Sequence, residues 1–398
     1  MKKILIIPSL YPSHNKYSGS FFRDQALFLS QNGFDVKVLM AEELHTKSYV
    51  FQVLKRIFYN KRNTLSTDFL SQNPTAYSFP LVIQKSWSER KKMNTYKERY
   101  KVAFQELLEL GWRPDLIHAQ NVFKAGIVAQ YVCSVFDLPY VIIEHSPFRL
   151  KSYSSFFQDE IKTAFRKANK VAAVSRYQRD CLLRDGIERP IEVVWNLVDE
   201  RKFIIPEKKQ HSTFRIVTIT YSDPVKDVTT FFKALAAFVE MDTYQDVQVI
   251  VVGNATFGAS PDSDTSYFEN IAAKLGVREI CTFIPYATQT KIIQILQEAH
   301  VFVSTSIEET FGLAVREALL CGATVISTKS GGVEDTLNSS NSILVEVGDF
   351  NEIALHLEQI KKKQKCFDIL QNRNDVISQS GRAKFLEAMT NFYTIPHD

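Results

Sequence analysis

The sequence predicts two doubly wound α/β domains in series. Three observations carry that expectation. At 398 residues the chain is too long for one hydrophobic core. Apolar runs of strand length alternate with amphipathic helical stretches along most of it. Its hydrophobic share is 45% and its charged share 23%, the balance of a globular protein. That balance excludes a disordered or collagen-like chain.

The elements follow in order. ILIIPSL at the start reads as a buried strand, YPSHNKYSGS as a polar loop, and FFRDQALFLSQNG as a helix closed by Gly33. FDVKVLM completes a βαβ unit, which opens a parallel sheet covered by helices. Further strands are expected at PDLIHAQ, PYVIIEH, KVAAVSR and IEVVWN. The polar stretch 204–213 reads as a linker. A second series follows: FRIVTIT, DVQVIVVG, ICTFIPY, HVFVSTS, TVISTKS and SILVEV. Sheets of this kind bind ligands beyond the carboxyl ends of their strands, so two of them predict an interdomain cleft. The longest apolar runs fall well short of the roughly 20 residues of a membrane helix. MKKILIIPSLYP lacks the long core and cleavage site of a signal peptide, which predicts a cytoplasmic protein. The five cysteines are scattered without C-x-x-C spacing, which argues against disulfides and structural zinc.

Charge is unevenly divided. Residues 1–200 hold 29 Lys and Arg against 20 Asp and Glu, and the remainder 19 against 24. The segment Lys85–Lys101 has seven basic and two acidic residues with aromatics between them, and VLKRIFYNKR at 53–62 repeats the theme. Such segments suit an anionic surface or form a solvated helix face. No helix-turn-helix, zinc or RNP-like signature points to nucleic acid.

The most informative stretch is VFVSTSIEETFGLAVREALLCGATVISTKSGGVED at 301–335. A strand ends at Ser306, and a buried helix is expected over Phe311–Leu320 with Thr310 as N-cap. Glu317 falls on the stripe of Leu313 and Leu320. A carboxylate on a buried stripe needs partners. Ribose hydroxyls would supply them, the helix start suits a diphosphate, and Glu309 would take the sugar. The alternative pairs Glu317 with a buried Arg or Lys and leaves Glu309 on the surface.

The E-x7-E spacing of EETFGLAVRE, followed by ALLCGATVISTKSGG, resembles the signature of glycosyltransferase family 4. IPSLYP, SGSFFRDQALFLSQNGFDVKVL, RPDLIHAQNVFKAG, LPYVIIEHSPF, VSRYQRDCLL, EVVWNLVDERKF and FLEAMTNFY extend the resemblance over nearly the whole chain. It implies the GT-B fold. The acceptor-binding domain would span 1–205 with a last helix, 380–398, crossing back onto it. The nucleotide-sugar domain would span 206–379. It also implies a retaining transfer from a nucleoside-diphosphate sugar, with uridine the commoner base, to a glycan or lipid-linked acceptor. No metal would be required. The expected localisation is cytoplasmic, with the basic first half lying peripherally on the inner membrane face. A nucleotide-sugar isomerase or epimerase and a non-catalytic nucleotide-sugar-binding protein are the rivals.

Residue by residue, the resemblance gives Glu317 the ribose and Glu309 the donor sugar, and lines the phosphate and sugar with Phe311, Gly312 and Leu313. Lys226 would pair with the diphosphate and stabilise charge on the leaving group. Tyr286 would meet the base. Gly19, in Ser18-Gly19-Ser20, would let the backbone approach phosphate or acceptor. His118 and His145, each read as following a strand, would lie near the reacting sugar. Asn196 would position backbone. The chain departs from the family pattern at Tyr221, where a phosphate-binding arginine is common, at Gln120 and at Pro285. Asp262-Ser263-Asp264 spells D-x-D but sits in a polar loop, and reads as a turn.

Overall fold

The computed structural model describes residues 1–12, 19–46, 65–72, 74–207, 213–241, 246–253 and 263–395. Ser18, Asp262 and the basic stretch 53–62 lie outside them. Backbone contacts divide the chain into two compact units. One comprises Met1–Val174, Gln178–Val194 and Ala388–Asp398; the other comprises Ser175–Tyr177 and Trp195–Glu387.

The first unit is built on eight strands: β1 (Lys2–Pro8), β2 (Phe34–Thr46), β3 (Ser66–Gln72), β4 (Thr75–Gln84), β5 (Leu116–Gln120), β6 (Tyr140–Glu144), β7 (Lys170–Ala173) and β8 (Glu192–Val193). Their order is β3-β4-β2-β1-β5-β6-β7-β8. All neighbours are parallel except β3 and β4. β1, β5 and β6 are almost wholly buried, as continuous apolar strands between two helical layers must be. One face of the sheet packs Leu5, Ile7, Ile117, Ala119 and Ile142 with Phe104, Val128 and Phe165. Those last three come from the helices Glu89–Glu109, Ile127–Phe136 and Ser155–Lys167.

Two details depart from the sequence expectation. The β3–β4 hairpin has no counterpart in it. Pro80 argues against a paired strand, but the pairing of β4 with β3 ends at Ser78, so Pro80 gives up no ladder bond on that side. IEVVWN shrinks to the two residues of β8.

The second unit has six parallel strands: β9 (Phe214–Ile219), β10 (Val247–Val252), β11 (Cys281–Ile284), β12 (Val301–Ser304), β13 (Thr324–Thr328) and β14 (Ile343–Val345). Their order is β11-β10-β9-β12-β13-β14. Its core gathers Ile216, Val249, Val303 and Ile326 with Phe231, Leu235, Ile353 and Leu357. In each sheet the chain runs to one side and then returns to the other. The point of reversal lies between β1 and β5 in the first and between β9 and β12 in the second. Crevices for ligands open at the carboxyl ends of such strand pairs.

Candidate functional site

In the second unit the loops after β9 and β12 are knitted together. The Ile307 N–H donates to the Val225 carbonyl (2.7 Å), and Thr305 Oγ1 donates to the carbonyls of Lys226 (3.2 Å) and Asp227 (2.9 Å). Lys226 ends a short turn, Pro224–Lys226, that Asp223 caps by accepting from the Val225 N–H. This fixes the direction of the Lys226 side chain. Its Nζ donates to Glu309 Oε1 at 2.5 Å, and the same oxygen accepts from Ser306 Oγ at 2.8 Å. Burial alone would push the Lys226 ammonium down. The charge of Glu309, with Tyr221 and Asp223, outweighs burial and raises it. Tyr221 sits under the cation, its ring centroid 5.1 Å from Nζ. At this position, where the resemblance makes an arginine common, the chain offers an aromatic face.

Glu309 is also fixed by its backbone. Its N–H donates to Ser330 O and its carbonyl accepts from the Gly332 N–H, both at 2.8 Å. The loops 309–312 and 330–332 therefore lie back to back. A Cβ on Gly332 would stand 2.0 Å from the Thr310 carbonyl, so only glycine allows this approach. On the preceding residue, Gly331, a Cβ would strike the Tyr177 ring, whose hydroxyl donates to Glu308 Oε1 at 3.0 Å.

The helix begins two residues later than the sequence suggests. It spans Leu313–Leu320, and its N-cap is Gly312 with φ 75°. That left-handed turn cannot belong to a helix, so Thr310 is not the cap and Phe311 precedes the helix. No side chain caps the first turn, which leaves its N–H groups available to a ligand. Val315, Arg316, Ala318, Leu319 and Leu320 are buried, while Leu313, Ala314 and Glu317 are half-buried. Glu317 thus lies on the one accessible face of the helix and not on the buried stripe with Leu320. Phe311 is buried. Tyr286, half-buried, follows β11, two strands from β9. Asn196 is buried in this unit.

The sequence reading passes over Arg316. It is fully buried. Its guanidinium donates to the carbonyls of Phe311, Gly312 and Gly332 and stacks 3.8 Å from the Phe311 ring centroid. Burial pulls its pKa down to about 9 against the fields of Asp335 and Glu309.

In the first unit, His145 follows β6 as expected, whereas His118 lies inside β5. Tyr393 of the helix Arg382–Tyr393 meets His118 Nδ1 at 2.8 Å, and among the described residues Nε2 has no partner. Burial first, and then the neighbouring His145, lower His118 to about 3, so its ring is neutral at pH 7. His145 is buried edge-on against Phe22, with centroids 4.9 Å apart. Phe22 belongs to the helix Ser20–Gln31, whose N-cap, Gly19, has φ 87°. A Cβ there would come within 2.9 Å of the Leu10 carbonyl, so this glycine lets two backbone segments meet.

A second residue missed in the sequence ties these ends together. Asn121 Nδ2 donates to Ser9 Oγ (2.7 Å) and Ser146 Oγ (3.0 Å), and its Oδ1 accepts the His145 N–H (2.7 Å). It thereby links the carboxyl ends of β1, β5 and β6. Asn121 holds φ 73°, ψ 148°, a region that disfavours side chains. Such strain has no signature in a single sequence. Beside it, Glu144 accepts the Val122 N–H (2.8 Å) and the Ser146 N–H (3.2 Å). Burial nevertheless pushes Glu144 up to about 7. Gln120, at the end of β5, is fully buried, and among the described residues neither amide atom has a hydrogen-bond partner.

Among the described residues no group of three or more His, Cys, Asp or Glu could hold a metal ion. Of the D-x-D stretch, Asp264 accepts the Ser266 N–H at 2.8 Å and the Ser266 hydroxyl at 2.6 Å, the bonding of a turn.

Two family models match in tandem. Glycosyltransferase Family 4 covers residues 19–202 and Glycosyl transferases group 1 covers residues 199–382. The chain belongs to glycosyltransferase family 4. Its fold is GT-B. Over 98% of this chain it superposes on 99% of HepE from Anabaena, solved in complex with UDP and glucose, with TM-score 0.71 and 19% identity. D-inositol 3-phosphate glycosyltransferase of Corynebacterium aurimucosum is 28% identical over 136 residues, 34% of this chain and 32% of that one. N-acetyl-alpha-D-glucosaminyl L-malate synthase of Bacillus anthracis is 25% identical over 186 residues, 44% of this chain and 46% of that one. The chain thus spans less than half the length of these curated relatives.

Proposed function

We propose that this protein is a retaining glycosyltransferase that moves a sugar from UDP-sugar to an acceptor hydroxyl. One observation carries the reading. Lys226 and Glu309 meet at the point of reversal of the second sheet, beside an uncapped helix start. The tandem family match and the UDP and glucose held by HepE support it.

The residues divide the work. The N–H groups at the start of Leu313–Leu320 and the Lys226 ammonium take the diphosphate. As the glycosidic bond breaks, its electron pair passes to the departing phosphate oxygen, and Lys226 stabilises that charge. Glu309, released from Lys226 by the phosphate, accepts hydrogen bonds from sugar hydroxyls. Glu317, on the accessible face of the helix, accepts from the ribose. Tyr286 meets the base. The first unit carries the acceptor, with Gly19 and His145 as its contacts and His118 behind them as a neutral support. Gln120 offers both an amide donor and an acceptor at a strand end, and so bears on which sugar is taken.

The proposed acceptor is a lipid-linked glycan of polysaccharide synthesis, met at the inner face of the membrane. No helix of the described residues is long and apolar enough to cross a bilayer. Contact would rest on Glu89–Glu109, where Arg90 and Lys91 are exposed while Lys97 and Lys101 already pair with Glu160 and Glu98. Co-sedimentation with anionic liposomes should fall when Arg90, Lys91 and Lys92 are changed to Glu; unchanged binding would remove the membrane from this account.

The test of the reaction is a donor panel. UDP-, GDP- and ADP-sugars are incubated with the full chain, and nucleoside diphosphate release is followed. Release from a UDP-sugar that disappears in Glu309→Ala and Glu317→Ala is expected. Release that survives both substitutions, or occurs only from another nucleotide, contradicts the proposal. Conversion of the donor sugar without release would point to an isomerase instead.

A further inference from the structure

Arg316 is placed where electrostatics disfavours a cation. It is fully buried, and its guanidinium lies against the Phe311 and Gly312 carbonyls that immediately precede the helix Leu313–Leu320. The N-terminal end of a helix carries positive potential. A buried charge there is costly unless an anion compensates it. Among the described residues no carboxylate does so by contact. The three groups that Arg316 bonds are neutral carbonyls, and its buried Nε has no partner. The two acids whose fields reach it are engaged elsewhere. Glu309 holds Lys226 and Ser306. Asp335 accepts the Arg176 N–H at 2.7 Å and Trp195 Nε1 at 3.1 Å.

A second observation concerns the other cation. Lys226 is paired with Glu309, and the position five residues earlier is Tyr221, which contributes a ring and no charge. The loops around the helix start therefore hold one cation paired with a carboxylate and, behind it, one buried cation that no carboxylate touches and that only the more distant charges of Asp335 and Glu309 favour.

We infer that Arg316 supplies the second positive charge of the donor site, acting on the diphosphate through the Phe311–Gly312 and Gly332 segments that it pins. This rests on the UDP-sugar reading above and names a residue that the reading does not need. Arg316 is a positioning residue, because its guanidinium is sealed behind the loops. It holds the Phe311 and Gly312 carbonyls inward beside the uncapped helix start, and it adds a field that an anion there would satisfy. The charge is kept in the ligand-free protein because the fork of three carbonyl bonds and the stacked Phe311 ring partly replace water.

Isothermal titration of the full chain with UDP, UMP and uridine tests this, using wild type, Arg316→Gln and Arg316→Lys. Gln keeps a hydrogen-bond donor without charge, and Lys keeps the charge without the fork. Arg316→Gln should weaken UDP roughly tenfold or more, UMP less and uridine hardly at all. Arg316→Lys should keep the UDP-over-uridine ratio within about threefold of wild type. A uniform loss across the three ligands, or equal UDP affinity in Gln and Lys variants, would overturn the inference and leave Arg316 a structural pin. Should Arg316→Gln not fold, Arg316→Met, uncharged and of similar reach, takes its place: a loss of UDP affinity that exceeds the loss for uridine supports the inference, and equal losses contradict it. Wild type that binds none of the three removes the donor reading as well, so the two failures are distinguishable.

Discussion

The points of reversal in the two sheets are built from different chemistry. In the second unit, the ends of β9 and β12 carry formal charge: Lys226 on Glu309, with Arg316 behind the helix start. In the first unit, the ends of β1, β5 and β6 carry amides, hydroxyls, an imidazole kept neutral at His118 and a carboxyl, Glu144, raised to about 7. Charge is held where a phosphate would answer it. Where a sugar hydroxyl would answer, the groups carry little formal charge and their geometry is fixed by a strained asparagine. Two sheets of the same class can thus divide binding between field and shape.

The largest effect should come from separating the Lys226–Glu309 pair. Lys226→Met and Glu309→Gln should each lower kcat/KM by roughly a hundredfold or more, the usual consequence of removing a transition-state charge contact. Each should also destabilise the fold, since a half-buried partner loses its counter-charge. In the double variant, stability should recover relative to the sum of the single changes, while activity should not. Activity that recovers with stability would reduce the pair to a structural ion pair.

Next comes pH. Glu144 rises from 4.5 to about 7 on folding, so the folded state holds an extra proton between these values. Its contribution to stability is full below about pH 4.5 and is lost as pH rises through 7. His118 falls from 6.5 to about 3 and acts oppositely: its contribution is full above 6.5 and is lost on acidification towards 3. Glu144→Gln removes the first term. Relative to wild type, this variant should gain on the order of 3 kcal/mol between pH 4.5 and 8. Urea unfolding at several pH values measures the difference. Parallel curves for the two proteins would show that Glu144 is ionised in the folded protein like an ordinary carboxylate.

A smaller effect is expected at Asn121. Asn121→Ala leaves the buried His145 N–H without its acceptor, a loss of about 1–3 kcal/mol. Asn121→Gly loses the same bonds but relieves the left-handed backbone, so it should be less destabilising than Ala. Equal losses would mean that the backbone stores no strain there.

Much of this is legible in the sequence. The alternation of apolar runs and helices, the E-x7-E spacing and the lysine after the first strand of the second unit are local signals. The first gives the two sheets, and the other two map onto the loops and the helix at the β9–β12 reversal. What escapes notice depends on three-dimensional packing. Gly312 delays the helix because its φ is positive, and which face of the helix is covered, hence where Glu317 lies, is decided by packing. The β3–β4 hairpin hides behind Pro80. Arg316 reads in sequence as one more charge beside Glu317, and only its burial makes it unusual. Asn121 follows a strand like any loop residue, and its three side-chain bonds join segments up to 112 residues apart.

The division between field and shape is tested most directly by hydrogen exchange of the full chain with and without UDP. The account predicts slower amide exchange in the 306–316, 224–228 and 330–335 segments, with the 118–123 and 144–147 segments unchanged by the nucleotide alone. Protection centred on 118–123 and 144–147, with the Leu313–Leu320 helix start unaffected, would contradict it.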